Sequence, residues 1–292
     1  MLSLYYPSNL INVTPKIIKA YESSEAHLYE IFKWRSQKKV QLIVINNRQQ
    51  FLKIAEHPLT VAFADINRNR IIIDYSQVIK HPFSLETTLQ HELCHILLHQ
   101  YISSHIPRWL DEGIAQWTSE GIAEIIHPET NLLQRSAFSN KLIPFYKLST
   151  SFPMETTHFI LAYEQSKSFV SYLVNTYSKN NLLHLLDHAK VSNSFHDSAH
   201  AVYGKSLQDL EREWIKSITH YIAWLLYISN NIYTFIFIGM AFLCIYAFIR
   251  LKIKQRNYTD DWDDDFDFEM SSDNPNRMNA KEKKEANNNL PP

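Results

Sequence analysis

The order of patterns along the chain predicts an α+β fold with a single membrane span. Short β-branched runs come first, helical periodicity follows them, and an uncharged apolar stretch lies near the C-terminus. The runs are Val40–Ile45, residues 59–64 and residues 70–75, bounded by turn-forming residues such as Asn46 and Asn47, and together they read as a small sheet.

Residues 2–6 alternate briefly before Pro7, which reads as a further short strand entering a turn. This opening has neither the basic region nor the apolar run of a signal peptide. Thr14 ahead of Pro15 is placed to cap a helix with proline at its first position. Ile17, Ile18, Tyr21, Leu28, Ile31 and Phe32 then recur at helical spacing. A second helix is expected after Ser84, with Glu86 in its first turn and Leu85, Leu89, Leu93 and Ile96 as its buried stripe. From there to about residue 220 the pattern stays helical, interrupted by Pro107, Pro128, Pro144 and Pro153.

Residues 232–249 carry no charge, and Tyr221, Trp224, Tyr227 and Tyr233 supply interfacial aromatics on the N-terminal side. The stretch is expected to meet membrane lipid. Arg250, Lys252, Lys254 and Arg256 follow as a cytoplasmic flank would. Beyond them an acidic run, 260–269, holds Trp262, Phe266 and Phe268, which could dock a protein partner, and the Asn-rich end reads as disordered. The expected organisation is a globular domain over 1–220, a span with its aromatic flank over 221–250, and a charged tail over 251–292. The basic flank puts the domain outside the cytoplasm, whereas no export signal precedes it. An upstream signal missing from the translated start would reconcile the two, and a cytosolic, tail-anchored domain is the alternative.

With 29 basic and 30 acidic side chains, the chain has no global field that would draw it to nucleic acid. Its two cysteines, Cys94 in a helical motif and Cys244 in the apolar stretch, are not placed to pair.

His91-Glu92-Leu93-Cys94-His95 sets two imidazoles four residues apart on a helix, the separation at which both can ligate one zinc ion. Glu92 beside them can reach a water on the metal without becoming a ligand, as a general base must. The spacing alone is weak evidence, and a catalytic zinc needs a third protein ligand. His99 lies two turns past His91, about 12 Å along the axis, too far to share the ion. Leu98 and Tyr101 stand where the pattern with a third, downstream histidine needs glycine and histidine, which excludes that class. Acidic candidates come on the next helix, in Pro107-Arg108-Trp109-Leu110-Asp111-Glu112-Gly113-Ile114-Ala115-Gln116-Trp117. Glu112 is favoured over Glu120, two turns on, because Trp109 and Leu110 anchor the helix around it. Gly113 and Ala115 would let this helix approach the first closely.

These two segments resemble the peptidase MA-like families of gluzincins, whose pattern is a histidine-glutamate zinc motif followed by a tryptophan-leucine, acidic, glycine-alanine segment. Residues 159–173, with Ala162-Tyr163-Glu164-Gln165-Ser166, and Gly204-Lys205-Ser206-Leu207 with Trp214 are similar to later parts of those families, so the likeness covers about residues 2–218. It implies a zincin-like domain with one zinc ion held by His91, His95 and Glu112. It further implies Glu92 as base and proton shuttle, and a peptide or protein substrate. A peptide's backbone could add as a strand near residues 59–64. Gluzincins also use a Tyr or His at the oxyanion, for which Tyr163 is the candidate, set against a core tyrosine on an apolar face. Gln116 stands one turn after Glu112, where some related enzymes carry an aspartate that orients a ligand.

The pairs His184/His188 and His196/His200 repeat the spacing without the acid and read as solvent-facing. Three functions fit these residues: a membrane-anchored zinc peptidase, a catalytically inactive zincin-like binding module, and a metal-assisted hydrolase of a non-peptide bond. Glu92 favours an enzyme over a scaffold, and only the resemblance favours a peptide bond.

Overall fold

A computed structural model describes residues 2–80, 83–102, 106–119, 131–192 and 194–263. Residues 1–227 form one compact unit and residues 228–292 a second.

In the first unit β1 (Leu2–Tyr5), β2 (Val40–Ile45), β3 (Ala62–Asp65) and β4 (Arg70–Asp74) form one sheet in the order β1-β2-β4-β3. β1, β2 and β4 run parallel, and β3 pairs antiparallel with β4, with Phe63 opposite Ile72. β3 is therefore an outer strand. β2 alternates with Val40, Leu42 and Val44 buried, while Ile71, Ile72 and Ile73 of β4 are buried on both faces, as a strand covered on two sides should be.

α1 (Thr14–Phe32) packs on α4 (Leu85–Tyr101), which also packs on β3 and β4. The short helices α2 (Arg48–Leu52) and α3 (Tyr75–Val78) lie against β2 and β4. The cap expected at Thr14 does not form. A short 3-10 helix, Ser8–Val13, leads directly into α1, and the Thr14 hydroxyl donates backwards to Ile11 O at 2.8 Å. Ser84 stands at the N-cap of α4 with extended backbone but makes no side-chain cap bond. α4 departs from the expected stripe more fundamentally. Every residue from Thr88 to Leu98 is buried, because the sheet side, α1 and the helical half enclose the helix. An enclosed helix needs no amphipathic face.

The helical half contains α5 (Arg108–Thr118), α6 (Leu132–Phe138), α7 (Thr156–Tyr177), α8 (Lys179–Val191), α9 (Phe195–Tyr203) and α10 (Leu207–Asn230), the last of which runs past the end of the unit. Trp109 of α5 meets Phe145 and Phe169, and both of those meet Trp214 of α10, so one aromatic cluster pins α5 and α7 together. Gly113 of α5 faces α7 rather than α4: a Cβ there would stand 2.5 Å from the backbone oxygen of Ser166. The close approach anticipated at this glycine is real, but its partner is the later helix.

The second unit contains α11 (Ile232–Asp263). Its segment Ile232–Gln255 is long and apolar enough to cross a membrane. At 1.5 Å per residue its 24 residues reach about 36 Å, more than the roughly 30 Å of a hydrocarbon core. The helix continues through Arg250, Lys252 and Lys254, so the polar tail begins as helix. The acidic run from residue 264 onward lies outside the described residues, as do the side chains of Tyr221 and Trp224.

Candidate metal centre

α4 brings His91 and His95 onto one face, with their Nε2 atoms 3.2 Å apart. α5 packs beside it and presents Glu112. Glu112 Oε2 lies 3.4 Å from His91 Nε2 and 3.6 Å from His95 Nε2, and all three groups are buried.

The second carboxylate oxygen, Oε1, is already engaged. Arg108, one turn earlier on α5, approaches it with Nη2 at 2.7 Å, and the Tyr163 hydroxyl of α7 donates to it at 3.2 Å. Oε2 has no hydrogen-bond partner although it is buried. A buried bare oxygen costs about 1–3 kcal/mol, more if charged, so a native carboxylate normally has a reason to keep one.

The imidazoles are held in matching states. Asp111 Oδ1 lies 2.7 Å from His95 Nδ1, which fixes a proton on Nδ1 and makes Nε2, facing Glu112, the nitrogen whose lone pair a metal would take. The other Asp111 oxygen, Oδ2, takes His99 Nε2 at 3.0 Å. Ser119 donates its hydroxyl to Ala115 O at 2.8 Å, so its lone pairs meet His91 Nδ1 in a long contact of 3.5 Å. Two imidazole nitrogens and one carboxylate oxygen thus converge, with ligand atoms within 4.8 Å of one another. A buried carboxylate oxygen facing two imidazole Nε2 atoms calls for a cation between them, a proton or a metal ion. The donor set, two nitrogens and one oxygen, fits zinc with a position left open.

The electrostatics show a site that draws positive charge, a proton when no metal is bound. Burial by itself would lower the His95 pKa, but the charges of Asp111 and Glu112 outweigh it and raise it well above the ordinary range, so without a metal Nε2 carries a proton that a bound cation would displace. Burial would raise Glu112, yet Arg108 and His95 hold it well below the usual carboxylate range. Burial pushes Glu92 upward, partly offset by His91 and His95. Burial, then Glu112, raise Tyr163 far enough to keep its hydroxyl protonated.

The cluster opens on a cleft of about 890 Å³. Glu92 and Arg108 line it with the three ligand candidates; Ala62, Phe63 and Ala64 of β3 border one side, and Phe152, Phe159 and Tyr163 another. His57, also on the cleft, stacks on Phe159 at 3.9 Å and contacts Met154 O at 3.3 Å, tying the loop before β3 to the segment before α7.

A family model described as the peptidase MA superfamily matches residues 24–220. The chain belongs to the peptidase MA superfamily. Membership makes the domain a zincin-like, peptidase-type one of a superfamily that is generally zinc-dependent. No curated protein matches the chain.

Within this superfamily domain His91, His95, Glu112, Glu92 and Tyr163 all meet at the cleft. Glu120, the competing carboxylate, lies outside the described residues. The Gln116 amide donates to Tyr163 O at 3.2 Å, and it is Asp111 that hydrogen-bonds a ligand candidate, His95. His99 takes no part in the convergence but secures Asp111. His184, His188, His196 and His200 are all exposed. Sequence reasoning missed Asp111 and Arg108 because neither is a metal ligand; each acts on a ligand. For Arg108 the signal was position, one turn before Glu112 on the same helix face; adjacent residues do not face each other, and only the packing of α5 on α4 brings Asp111 to His95.

Proposed function

We propose that the chain is a membrane-anchored zinc peptidase of the gluzincin type, with His91, His95 and Glu112 as ligands and Glu92 as general base. The observation that carries this reading is the buried, unpartnered Glu112 Oε2 facing the Nε2 atoms of His91 and His95, in the cleft that Glu92 lines. When bound there, zinc supplies an acidified water and a Lewis acid for the scissile carbonyl.

The chain's own groups would do the rest. Glu92 takes the proton of the attacking water and returns it to the leaving amine nitrogen, ending the cycle ionised as it began. Asp111 keeps the His95 lone pair aimed, and Arg108 and Tyr163 hold Glu112 so that only Oε2 is offered. The outer edge of β3, on the cleft, suits an extended peptide added as a further strand. The segment Ile232–Gln255 would anchor the enzyme, and the basic side chains after it favour a cytoplasmic tail with the peptidase domain on the other side.

The test begins with zinc content per chain, measured on detergent-purified protein. The parent is expected to carry one zinc and His95→Ala and Glu112→Ala little. Glu92→Gln should keep the metal and lose hydrolysis of a synthetic peptide mixture followed by mass spectrometry. A parent that neither holds nor takes up zinc would demote the enzyme and favour a membrane-anchored binding module. Hydrolysis surviving in Glu92→Gln would sink the mechanism.

A further inference from the structure

Peptide hydrolysis at this cleft leaves one task without a residue. When water adds to the carbonyl carbon, the carbonyl oxygen becomes an oxyanion, and a hydrogen-bond donor must face it. Tyr163 has a single O–H, and Glu112 Oε1 already receives it. Arg108 is placed differently. It pairs with the same carboxylate oxygen through one nitrogen, yet a guanidinium carries five N–H donors in a planar fork. Its side chain is 42% exposed and lines the cleft beside His91, Glu92 and His95. Among the described residues it is the one lysine or arginine on the cleft lining.

The geometry points to Arg108 as a catalytic residue: on the peptidase reading, its remaining N–H groups receive the oxyanion, while Tyr163 is a positioning residue for Glu112. In the step concerned, the water oxygen bonds to the carbonyl carbon, the C=O π pair moves onto the carbonyl oxygen, and Glu92 takes the water's proton. On collapse the pair returns to the C=O bond, the C–N bond breaks with its electrons going to nitrogen, and Glu92 delivers the proton there. The full negative charge on oxygen exists only between these events. A fixed cation facing that oxygen therefore favours the transition state over the bound substrate, and its loss appears in kcat.

The experiment compares zinc-loaded full-length parent, Arg108→Met, Arg108→Gln and Tyr163→Phe in detergent. Zinc content, kcat and KM on the peptide cut fastest by the parent, and calorimetric affinity for a phosphinic peptide are measured. The phosphinic group is a tetrahedral anion that mimics the oxyanion. Arg108→Met removes an ion pair of Glu112 and is expected to bind zinc more weakly, but at saturating zinc to keep KM, lower kcat by about 10²–10³-fold, and weaken the phosphinic peptide similarly. Arg108→Gln perturbs packing less and should lose kcat in the same direction, which covers a Met variant that fails to fold. Tyr163→Phe should show its loss chiefly in zinc retention, by about tenfold.

Parent-level kcat or phosphinic affinity in a folded Arg108 variant would overturn the assignment. So would a kcat loss confined to Tyr163→Phe, or failure of both Arg108 variants to load at saturating zinc, which would make the guanidinium a positioning residue only. A zinc-loaded parent that neither cuts peptides nor binds the phosphinic peptide would instead refute the peptidase reading, and this assignment with it.

Discussion

Replacing Gly113 by alanine sets two known effects against each other. Alanine in a helix interior is favoured over glycine by about 1 kcal/mol. Against that, the new Cβ would lie 2.5 Å from Ser166 O, 2.7 Å from Val170 Cγ2 and 2.9 Å from Ser166 C. The carbon contacts are roughly 1 Å short of the usual 3.5–4.0 Å separation. Val170 can turn, but the Ser166 carbonyl belongs to the backbone of α7 and cannot yield alone. α5 must therefore back away from α7. Overpacking of this kind costs about 1–3 kcal/mol, and the severity here points to the upper end, for a net loss of about 2 kcal/mol. In a domain of this size that lowers Tm by about 4–8 °C. α5 also carries Arg108, Asp111 and Glu112, so the same displacement should weaken zinc binding. Circular-dichroism melts of the full chain in detergent, with and without added zinc, read both effects. An unchanged or higher Tm for Gly113→Ala would mean that α5 and α7 have slack between them, and the account of their spacing would be wrong.

Asp111→Asn should fold and keep a hydrogen bond to His95, but it removes the charge that makes the imidazole a strong ligand, so competition with a chelator should show zinc affinity about 10–100-fold weaker. An affinity equal to the parent's would refute its role. Glu155 caps α7 by accepting from the His158 and Thr157 backbone N–H groups, which lower its pKa from 4.5 to about 2. A carboxylate depressed by folding stabilises fully above its unfolded value and ceases to do so as pH falls through the folded one. The parent's advantage over Glu155→Ala should thus hold above about pH 4.5 and vanish toward pH 2, read as Tm against pH; a gap that persists at pH 2 would contradict the cap. Protease outside sealed, right-side-out membranes should remove the domain spanning 24–220 and spare the tail. Digestion of the tail alone would reverse the proposed orientation.

The order of elements was legible because β-branched runs and helical periods are local signals, and Val40–Ile45 formed as read. β3 begins later than residue 59 because the Arg48 guanidinium takes the Pro58 and Thr60 carbonyls, holding that stretch as a turn. The periodicity around Leu85, Leu89, Leu93 and Ile96 marked α4 as a helix but not its burial on every side, which depends on elements distant in sequence. The spacing of His91 and His95 is fixed by helix geometry and could be read directly. What fixes their protons, Asp111 and Ser119, comes from a different helix and its end, and only the packing of α5 on α4 brings those groups into range. Gly113 showed that a close approach was needed without showing which helix made it.

Among the described residues β3 is an outer strand whose Ala62, Phe63 and Ala64 line the cleft, and only an extended chain can bond to such an edge. A helix has already committed its N–H and C=O groups, and so has the interior of a sheet. A folded target would therefore reach this cleft only through segments that first open, and its turnover would follow the opening equilibrium of the target as much as its sequence. Two proteins sharing the same susceptible peptide would then be cut at rates set by how often each exposes it.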